Sequence, residues 1–379
     1  MSIQFAGGAI VNTTFVPTNK ATLQSNVVTQ LTNAGWSQSS GPSGGGSYTV
    51  TITIASPGVV TLASHGLLAN DQVVFSTTGA LPTGLTAGTV YYVKTVVSSS
   101  TFTVSSSAGG TVINTSGSQS GTQSVVGHVR MLSASTPWSI SMIINIADNG
   151  GTCLTFSIED GASVTSASNS TTGGGQLNPG TGSTTYNIIA DKYQAFIFQS
   201  VTTPARGFVA FGTPYLPTFL QSVLTQCCWL SSNGFNDTNT TIGYSLRVLS
   251  APNGYGNSQG ITNTNLCDSL NQNNGNTPYG VLVLITTGLN ILVTGQAGVA
   301  WSDASALMQE PLLAWGNNYQ NGGSAGASYQ QLIRGQLWDA VLICNEFVGD
   351  TTTTFDGHNW RGITDSNTTT YATLFICTT

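Results

Sequence analysis

Four short segments within 56–104 constrain the fold more than any other part of the chain. They are rich in β-branched and aromatic residues and read Val59–Leu62, Gln72–Phe75, Val90–Lys94 and Thr101–Val104. Runs of this length, bounded by Gly, Pro, Asn, Asp or Ser, are typical of β-strands joined by tight turns. Similar runs recur as far as Tyr371–Ile376. The sequence therefore predicts a mainly β protein with β-sandwich domains and few short helices.

Two stretches rich in Gly, Ser and Thr bracket this region. Gly41–Ser47 reads GPSGGGS, and Asn114–Ser124 has a similar composition. Such composition is typical of flexible connections, and insertions are tolerated at exposed loop tips. We therefore predict a small inserted β-module at 48–126. It interrupts an N-terminal β-domain formed by 1–47 and 127–215, and a C-terminal β-sandwich-like domain follows at 216–379.

The inserted module carries a motif found elsewhere. His65-Gly66-Leu67, Asp71–Phe75 and the run GALPTGLTAGTVYYV at 79–93 resemble a small β-domain that recurs in virion proteins of tailed bacteriophages. Asn70-Asp71 stands where such modules usually carry a Gly-Asp-like turn, and Asn tolerates the same turn. The run LTNAGW at 31–36 resembles the first helix of many phage virion β-proteins.

The resemblance implies a function and a location. The chain would be a non-enzymatic structural component of a tailed-phage particle, in the tail or baseplate, made in the host bacterial cytoplasm and carried on the virion. Its partners would be other copies of itself and other virion proteins. Two alternatives are a head-decoration or fibre protein and a protein that recognises host-surface glycan. A glycan depolymerase is a less favoured alternative.

One amphipathic helix has readable ends. Leu23, Val27 and Leu31 fall on one face at helical spacing, Thr18 or Asn19 can cap the start, and Gly35 can end it. Three further readings concern strands and turns. We predict one or two first strands, at Ile3–Phe5 and Ala9–Val11, a helical turn within Leu307–Trp315 that is broken by Pro311, and a single strand at Gly335–Ile343.

Charge is scarce for a chain of this length. Lys and Arg number 8 and Asp and Glu number 14, so 6% of residues are charged and the net charge is −6. Ordinary soluble domains carry about 25%. A surface of small neutral polar groups can be buried in an assembly with little desolvation of ions, which favours a homo-oligomer.

The same scarcity argues against several partners. No Lys/Arg cluster is present, so we predict no nucleic-acid binding. The longest apolar run, Val281–Ile285, is strand-sized, so we predict no membrane insertion. The opening MSIQFAGGAIVN lacks a basic region and a sustained apolar segment, and we expect no secretory signal.

Two groups of polar residues are candidates for chemistry. Asp356, His358 and Arg361, with Asp350 nearby, can bind a divalent metal or form an acid/base pair, but a hydrogen-bonded turn is the favoured interpretation. Glu159-Asp160 invites comparison with glycosidase carboxylates, yet adjacent residues of a strand point to opposite faces. We therefore predict no catalytic residue, no metal and no cofactor, and expect that the chain is not an enzyme.

Aromatic residues of the C-terminal third are candidates for recognition. They lie among many Asn and Gln residues, and they are Trp301, Trp315, Tyr319, Trp338 and Trp360. Aromatic side chains anchor subunit interfaces and protein cores, and beside amide groups they also bind sugars. Interface or core is the favoured role and glycan binding the alternative.

The six cysteines have irregular spacing without C-x-x-C. Cys344 and Cys377 lie in strand-like runs, where free cysteine acts as a small hydrophobe. We favour free thiols, with a disulfide from Cys227 or Cys228 to Cys267 as the alternative.

Overall fold

A computed structural model describes most of the first 216 residues and a set of strands beyond them. The described ranges are 3–160, 175–179, 184–199, 208–216, 218–221, 226–234, 243–251, 261–262, 281–284, 307–309, 311–317, 330–344, 352–364 and 372–379. The fold is mainly β and consists of several antiparallel sheets, as predicted. Neither helix in the described ranges is long and apolar enough to cross a membrane.

The elements are numbered in chain order. The first half comprises β1 Val11–Phe15, α1 Lys20–Asn33, β2 Ser37–Ser40, β3 Ser47–Ile52, β4 Val60–Thr61, β5 Gln72–Thr77, β6 Val90–Ser98, β7 Thr101–Ser105, β8 Gln123–Gly127, β9 Val129–Leu132, β10 Met142–Asp148, β11 Leu154–Asp160, β12 Gly175–Leu177 and β13 Tyr186–Ala190. The second half comprises β14 Gln194–Gln199, β15 Phe208–Gly212, α2 Thr218–Gln221, β16 Gln226–Gly234, β17 Gly243–Ala251, β18 Ile261–Thr262, β19 Val281–Leu284, β20 Leu307–Gln309, β21 Pro311–Asn317, β22 Gln330–Gln336, β23 Ala340–Cys344, β24 Thr352–Phe355, β25 His358–Thr364 and β26 Ala372–Cys377.

The chain divides into two compact units. The barrel unit comprises 14–134 and 142–186, and the large-sheet unit comprises 1–13, 135–141 and 187–379. This grouping places 187–215 together with the residues that follow them. The sequence-based division into 1–47 with 127–215, 48–126 and 216–379 remains a prediction.

A closed barrel dominates the barrel unit. Its six strands follow the order β3-β4-β7-β6-β5-β8, so it spans Ser47–Gly127. Its interior is apolar and is filled by residues that include Val50, Val73, Phe75, Val93, Phe102 and Val125. The strands predicted at 72–75, 90–94 and 101–104 are all present, because each presents alternating residues to this interior.

A five-stranded sheet and one helix complete the barrel unit. The sheet has the order β12-β11-β10-β9-β2. Helix α1 has the predicted ends: Asn19 and Thr22 form a reciprocal capping box, and Gly35 adopts a φ of 100° after the last turn. Leu23, Val27 and Leu31 of α1 are buried, which confirms the predicted apolar face.

The prediction that Gly41–Ser47 forms a flexible linker is wrong. Gly41 donates its N–H to the carbonyl of Gly66 at 2.8 Å, and Gln38 accepts from the N–H of Gly44 at 2.8 Å. The glycines are required by geometry, since Gly41 and Gly44 have φ values of 90° and 85°. A Cβ at Gly41 would lie 2.1 Å from the carbonyl oxygen of His128. The Gly-rich composition therefore reflects a compact, hydrogen-bonded turn.

The large-sheet unit is built on a seven-stranded sheet of order β1-β13-β14-β15-β16-β17-β18. Smaller sheets have the orders β19-β21-β22 and β20-β23-β26-β25-β24. The helical turn predicted within 307–315 is wrong, because β20 and β21 occupy that region. Pro311 begins β21, a position where its missing N–H is tolerated.

Two other strand predictions need correction. Gly335–Ile343 is two strands, since a turn at 337–339 separates β22 from β23 and Asp339 adopts a φ of 46°. Ile3–Phe5 forms no strand, and β1 begins only at Val11. Cys153, Cys228 and Cys377 are buried and form no disulfide, so the alternative that pairs Cys228 with Cys267 is wrong. Cys267 lies outside the described residues, so a disulfide from Cys227 to Cys267 stays a prediction.

Candidate functional site

The attachment of the barrel is organised by one buried side chain of α1. Gln24 donates from Nε2 to the carbonyl oxygens of Gly127, at 2.9 Å, and of Ile146, at 3.1 Å. Its Oε1 accepts from the N–H of Gly46 at 2.7 Å. Gly46 directly precedes the first barrel strand and Gly127 ends the last one. Both chain crossings into the barrel are therefore held by the same amide group.

A buried ion pair lies beside this attachment. Asp71, at the start of the barrel strand β5, has Oδ1 2.7 Å from Nη1 of Arg130 on β9, and both side chains are fully buried. Arg130 also donates to Oγ of Ser40 at 3.0 Å. Asp71 Oδ2 accepts from the N–H of Leu68 at 2.7 Å. Buried charges need such partners, because an isolated ion in the interior costs several kcal/mol, on the order of 20 in the ideal case.

His128 extends the network to the neighbouring strand. Its Nδ1 lies 3.7 Å from Asp71 Oδ1, and its Nε2 is 2.8 Å from Oδ1 of Asn145 on β10. The network thus joins the barrel to β2, β9 and β10 of the sheet through side chains that are almost wholly removed from water. A barrel held in this way has one defined orientation on its sheet.

The phage-like motif residues serve the barrel itself. His65 is buried, and its Nδ1 accepts a hydrogen bond from the N–H of Leu67 at 3.0 Å. Its Nε2 lies 3.0 Å from the carbonyl oxygen of Ser98. Since Nδ1 accepts, the proton resides on Nε2 and is donated to Ser98. Asn70 has a φ of 70°, the left-handed conformation expected at the Gly-Asp-like turn. Each of these motif residues therefore has a structural role in the barrel.

The large-sheet unit contains a second buried polar group, made of two carboxyls. Asp191 lies in the turn between β13 and β14, and Asp339 lies in the turn between β22 and β23. They are 4% and 2% exposed and hydrogen-bond to one another. Burial, followed by the nearby charge of Asp339, raises the pKa of Asp191 well above its usual range. Burial also raises the pKa of Asp339. Two buried carboxyls in contact are stable when they share a proton.

Each carboxyl is also bound by backbone groups. Asp191 Oδ1 accepts from the N–H groups of Tyr193, at 2.6 Å, and Gln194, at 3.1 Å. Asp339 Oδ1 accepts from the N–H of Ala6 at 3.1 Å, and the N–H of Asp339 donates to the carbonyl of Gln4 at 2.8 Å. The pair therefore holds a turn of the large sheet and the segment Ile3–Ala6.

An aromatic surface lies beside the carboxyl pair. The ring of Phe5 is stacked on His358, with centroids 4.8 Å apart, and lies 6.4 Å from Trp360. Phe5 remains 41% exposed, whereas Trp360 beneath it is fully buried. Asp356 and Asn359 are exposed nearby on the same hairpin. The surface combines an open aromatic ring with polar side chains.

The predicted polar cluster at 356–361 is a hairpin turn, as favoured from the sequence. Asp356 and Gly357 have φ values of 51° and 74° and join β24 to β25, the geometry of a two-residue turn with both central residues left-handed. His358 Nδ1 bonds the carbonyl of Asp356 at 2.8 Å. Arg361 lies over the ring of Phe198 at 5.3 Å. Asp350 is outside the described residues.

The structure places the five candidate aromatics in different settings. Trp338 is buried in a ring cluster with Trp138, Tyr193 and Tyr215, and its Nε1 donates to the carbonyl of Thr213 at 2.8 Å. Trp360 is buried under Phe5, so Trp338 and Trp360 are both core residues of this chain. Trp315 lies on β21 opposite Leu332. Trp301 and Tyr319 lie outside the described residues, and the interface or glycan role of the five residues remains a prediction.

The carboxylates of the glycosidase alternative lie on one strand. Glu159 and Asp160 are the last residues of β11, opposite Ile143 and Met142 of β10. Sequence reasoning missed Gln24, the Asp71–Arg130 pair, the Asp191–Asp339 pair and Phe5. Arg130 and Asp71 stand out in a chain this poor in charge, since each charged residue inside a strand-rich segment needs a partner.

No family model matches the chain, and no curated protein matches it. The structure is similar to that of the phage phi92 endosialidase, with 13% identity and a TM-score of 0.19, over 90% of this chain and 51% of that protein. The chain thus spans about half the length of the endosialidase. A TM-score of that size does not establish a common fold.

Proposed function

We propose that this chain is a non-enzymatic structural component of a tailed-bacteriophage particle, most consistent with the tail or baseplate. It acts through contacts with other copies of itself and with other virion proteins. The proposal includes its location on the virion after synthesis in the host cytoplasm. The resemblance of the barrel motif to phage virion modules supports the phage assignment.

The observation that carries the proposal is the fixed attachment of the barrel. Gln24 binds both crossings into the barrel, and the buried Asp71–Arg130 pair joins the barrel to the sheet. A barrel that is locked in one orientation suits a building block that presents the same surface in every copy. The low charge of the chain supports this reading, because neutral surfaces lose little hydration on assembly.

The polar groups of the described residues favour structure over catalysis. Asp191 and Asp339 resemble an acid dyad in composition, but both are buried and bound by backbone N–H groups. A catalytic acid or base must lie within hydrogen-bond reach of a substrate atom. Their position suits a role in holding chain segments together, and we propose that the protein is not an enzyme.

Sedimentation tests this proposal directly. We expect the purified full chain to form a defined oligomer, or to co-sediment with particles from which it has been stripped. The glycan-depolymerase alternative is tested in parallel by incubating the chain with host capsule and surface polysaccharides. A stable monomer with no affinity for any virion protein contradicts the proposal, and so does cleavage of a polysaccharide.

Host-glycan recognition is a second candidate, favoured by the exposed ring of Phe5. The ring is backed by His358, and Asp356 and Asn359 supply polar groups at its edge. Aromatic faces bind the apolar face of a sugar. The test is a glycan array with the native chain and with Phe5→Leu, which keeps apolar packing and removes the stacking ring. Binding that Phe5→Leu abolishes supports recognition, and silence of the native chain on the array contradicts it.

A further inference from the structure

The segment Ile3–Ala6 covers an apolar cluster of the large-sheet unit. We call this cluster, formed by Trp360, Phe375 and Cys377, the Trp360 cluster. Ile3 and Ile10 pack against it, and Phe5 lies over the hairpin residue His358. Ile3 is thus one of the apolar side chains that pack against Trp360 and Phe375, both of which are fully buried. The cluster is therefore complementary to this particular run of residues.

Two hydrogen bonds join the segment to Asp339. The N–H of Asp339 donates to the carbonyl of Gln4 at 2.8 Å, and the N–H of Ala6 donates to Asp339 Oδ1 at 3.1 Å. The segment forms no strand and pairs with no neighbouring strand in the described residues. Undocking the segment therefore separates no strand of the described sheets from its neighbour.

Two glycines separate the segment from the first strand. Gly7 and Gly8 have φ values of 65° and 103°, and both are exposed. A Cβ built at Gly7 meets no atom within 4 Å, so close packing does not explain the glycine there. Glycine passes between left-handed and other conformations at little cost. Residues 7–8 therefore suit the role of a hinge between the docked segment and β1.

From this geometry we propose that Ile3–Ala6 is an exchangeable arm, which in the assembled state docks on the Trp360 cluster of a second copy of this chain. The fit of this segment to the same cluster within one chain supports a second copy as the occupant. A swapped arm makes the same contacts with its new host and changes only the hinge. Exchange of an identical element is a low-cost route to association.

The inference goes beyond the proposed function, because it names the contact through which copies associate. The exchangeable-arm inference fails, while the proposed function stands, if copies associate through other surfaces. The proposed function fails if copies and virion proteins do not associate at all. The experiment must therefore measure both whether copies associate and which chain supplies the arm docked on each Trp360 cluster.

Photo-crosslinking between isotopically distinct chains measures both. Full-length light and ¹⁵N-labelled chains, each with Phe5→p-benzoylphenylalanine, are mixed until their sedimentation profile is constant and then irradiated. We expect crosslinked peptides that join residue 5 of one isotope to the hairpin at 358–360 of the other. When light and labelled chains are mixed in equal amounts and exchange freely, about half of the exchanged pairs should contain one chain of each isotope.

Two further variants keep the result interpretable. Ile3→photoleucine places a smaller probe in the same arm, in case the bulkier group at residue 5 disturbs folding. Asn12→p-benzoylphenylalanine places the probe on β1, which pairs in the large sheet, and it should give crosslinks within one isotope only. The proposal is overturned if the arm probes join residues of the same isotope alone, whether the chains associate or remain monomeric.

Discussion

The side-chain amide of Gln24 donates to the carbonyl of Gly127 at 2.9 Å and so connects α1 to the end of the barrel. The same side chain accepts from the N–H of Gly46 at the start of the barrel. A single helical residue thereby fixes both ends of a closed six-stranded domain. This contact is the structural basis for treating the barrel as a rigid part of the molecule.

Replacement of Gln24 should destabilise the chain strongly. Gln24→Leu removes the partners of three buried backbone groups and should lower the free energy of unfolding by about 2–5 kcal/mol. Urea unfolding measures the loss. Gln30→Leu on the same helix is the matched control, because Gln30 bonds only a surface neighbour, and it should change stability by about 0.5 kcal/mol or less. Equal midpoints for the two variants would refute the role of Gln24.

The buried ion pair predicts strong coupling in a double-mutant cycle. Asp71→Asn and Arg130→Met should each cost about 3–5 kcal/mol, because each leaves a buried charge without its counterion. The double variant should cost much less than the sum of the two. Additive losses, measured by denaturant unfolding, would mean that the two residues do not stabilise each other.

Matched substitutions of two glycines test whether residues 41–47 form a compact turn and not a flexible linker. Gly41→Ala and Gly44→Ala both place a side chain at a left-handed φ, at a cost of about 1–2 kcal/mol. Only Gly41→Ala also forces a Cβ against the carbonyl of His128, whereas Gly44 has only the Tyr48 hydroxyl at 4.0 Å. We expect Gly41→Ala to be less stable by a further ~1–3 kcal/mol. Two variants of equal thermal midpoint would support a flexible linker after all.

The carboxyl pair predicts how stability depends on pH. Because the pKa of Asp191 is raised in the folded chain, the folded chain binds more protons than the unfolded chain at pH values between the ordinary Asp pKa and the raised one. Its contribution is fully present below the ordinary Asp pKa of about 3.9 and is lost as pH rises through the raised pKa. Asp339 also interacts electrostatically with Lys192, His358 and the Cys377 thiol. Burial raises the pKa of that thiol.

Asp191→Asn tests this dependence. Asparagine keeps the acceptor for Tyr193 and Gln194 and donates to Asp339 without a titrating proton. Stability measured from pH 4 upward should therefore fall less steeply in Asp191→Asn than in the native chain. Asp356→Asn, at an exposed hairpin, is the control and should keep the native slope. An unchanged slope in Asp191→Asn would exclude the shared proton.

Local patterns predicted the elements whose cause is local. The helix with its Asn19 cap, the barrel strands and the left-handed turn at Asn70 follow from periodicity, capping and turn chemistry. Composition misled at Gly41–Ser47, because a Gly-rich run is shared by flexible linkers and by tight turns of left-handed residues. The helical reading of 307–315 failed because pairing with other strands overrode the local pattern.

The candidate sites could not be read from the sequence for a different reason. Asp191 meets Asp339, and Gln24 meets Gly127, only because the sheets bring distant segments together. Nothing in the sequence near Phe5 indicates that its ring lies on His358. Side-chain identity shows that a polar group needs a partner, but the choice of partner is set by the tertiary fold.

Immunogold electron microscopy of intact tailed particles from cells that produce this chain tests the central claim most directly. Antibodies raised against the full chain should label a fixed position on every particle, at the tail or baseplate. Labelling should persist after washing at high salt, because the proposed contacts depend little on charge. Unlabelled particles, with the chain recovered only as free monomer in the lysate, would contradict the account.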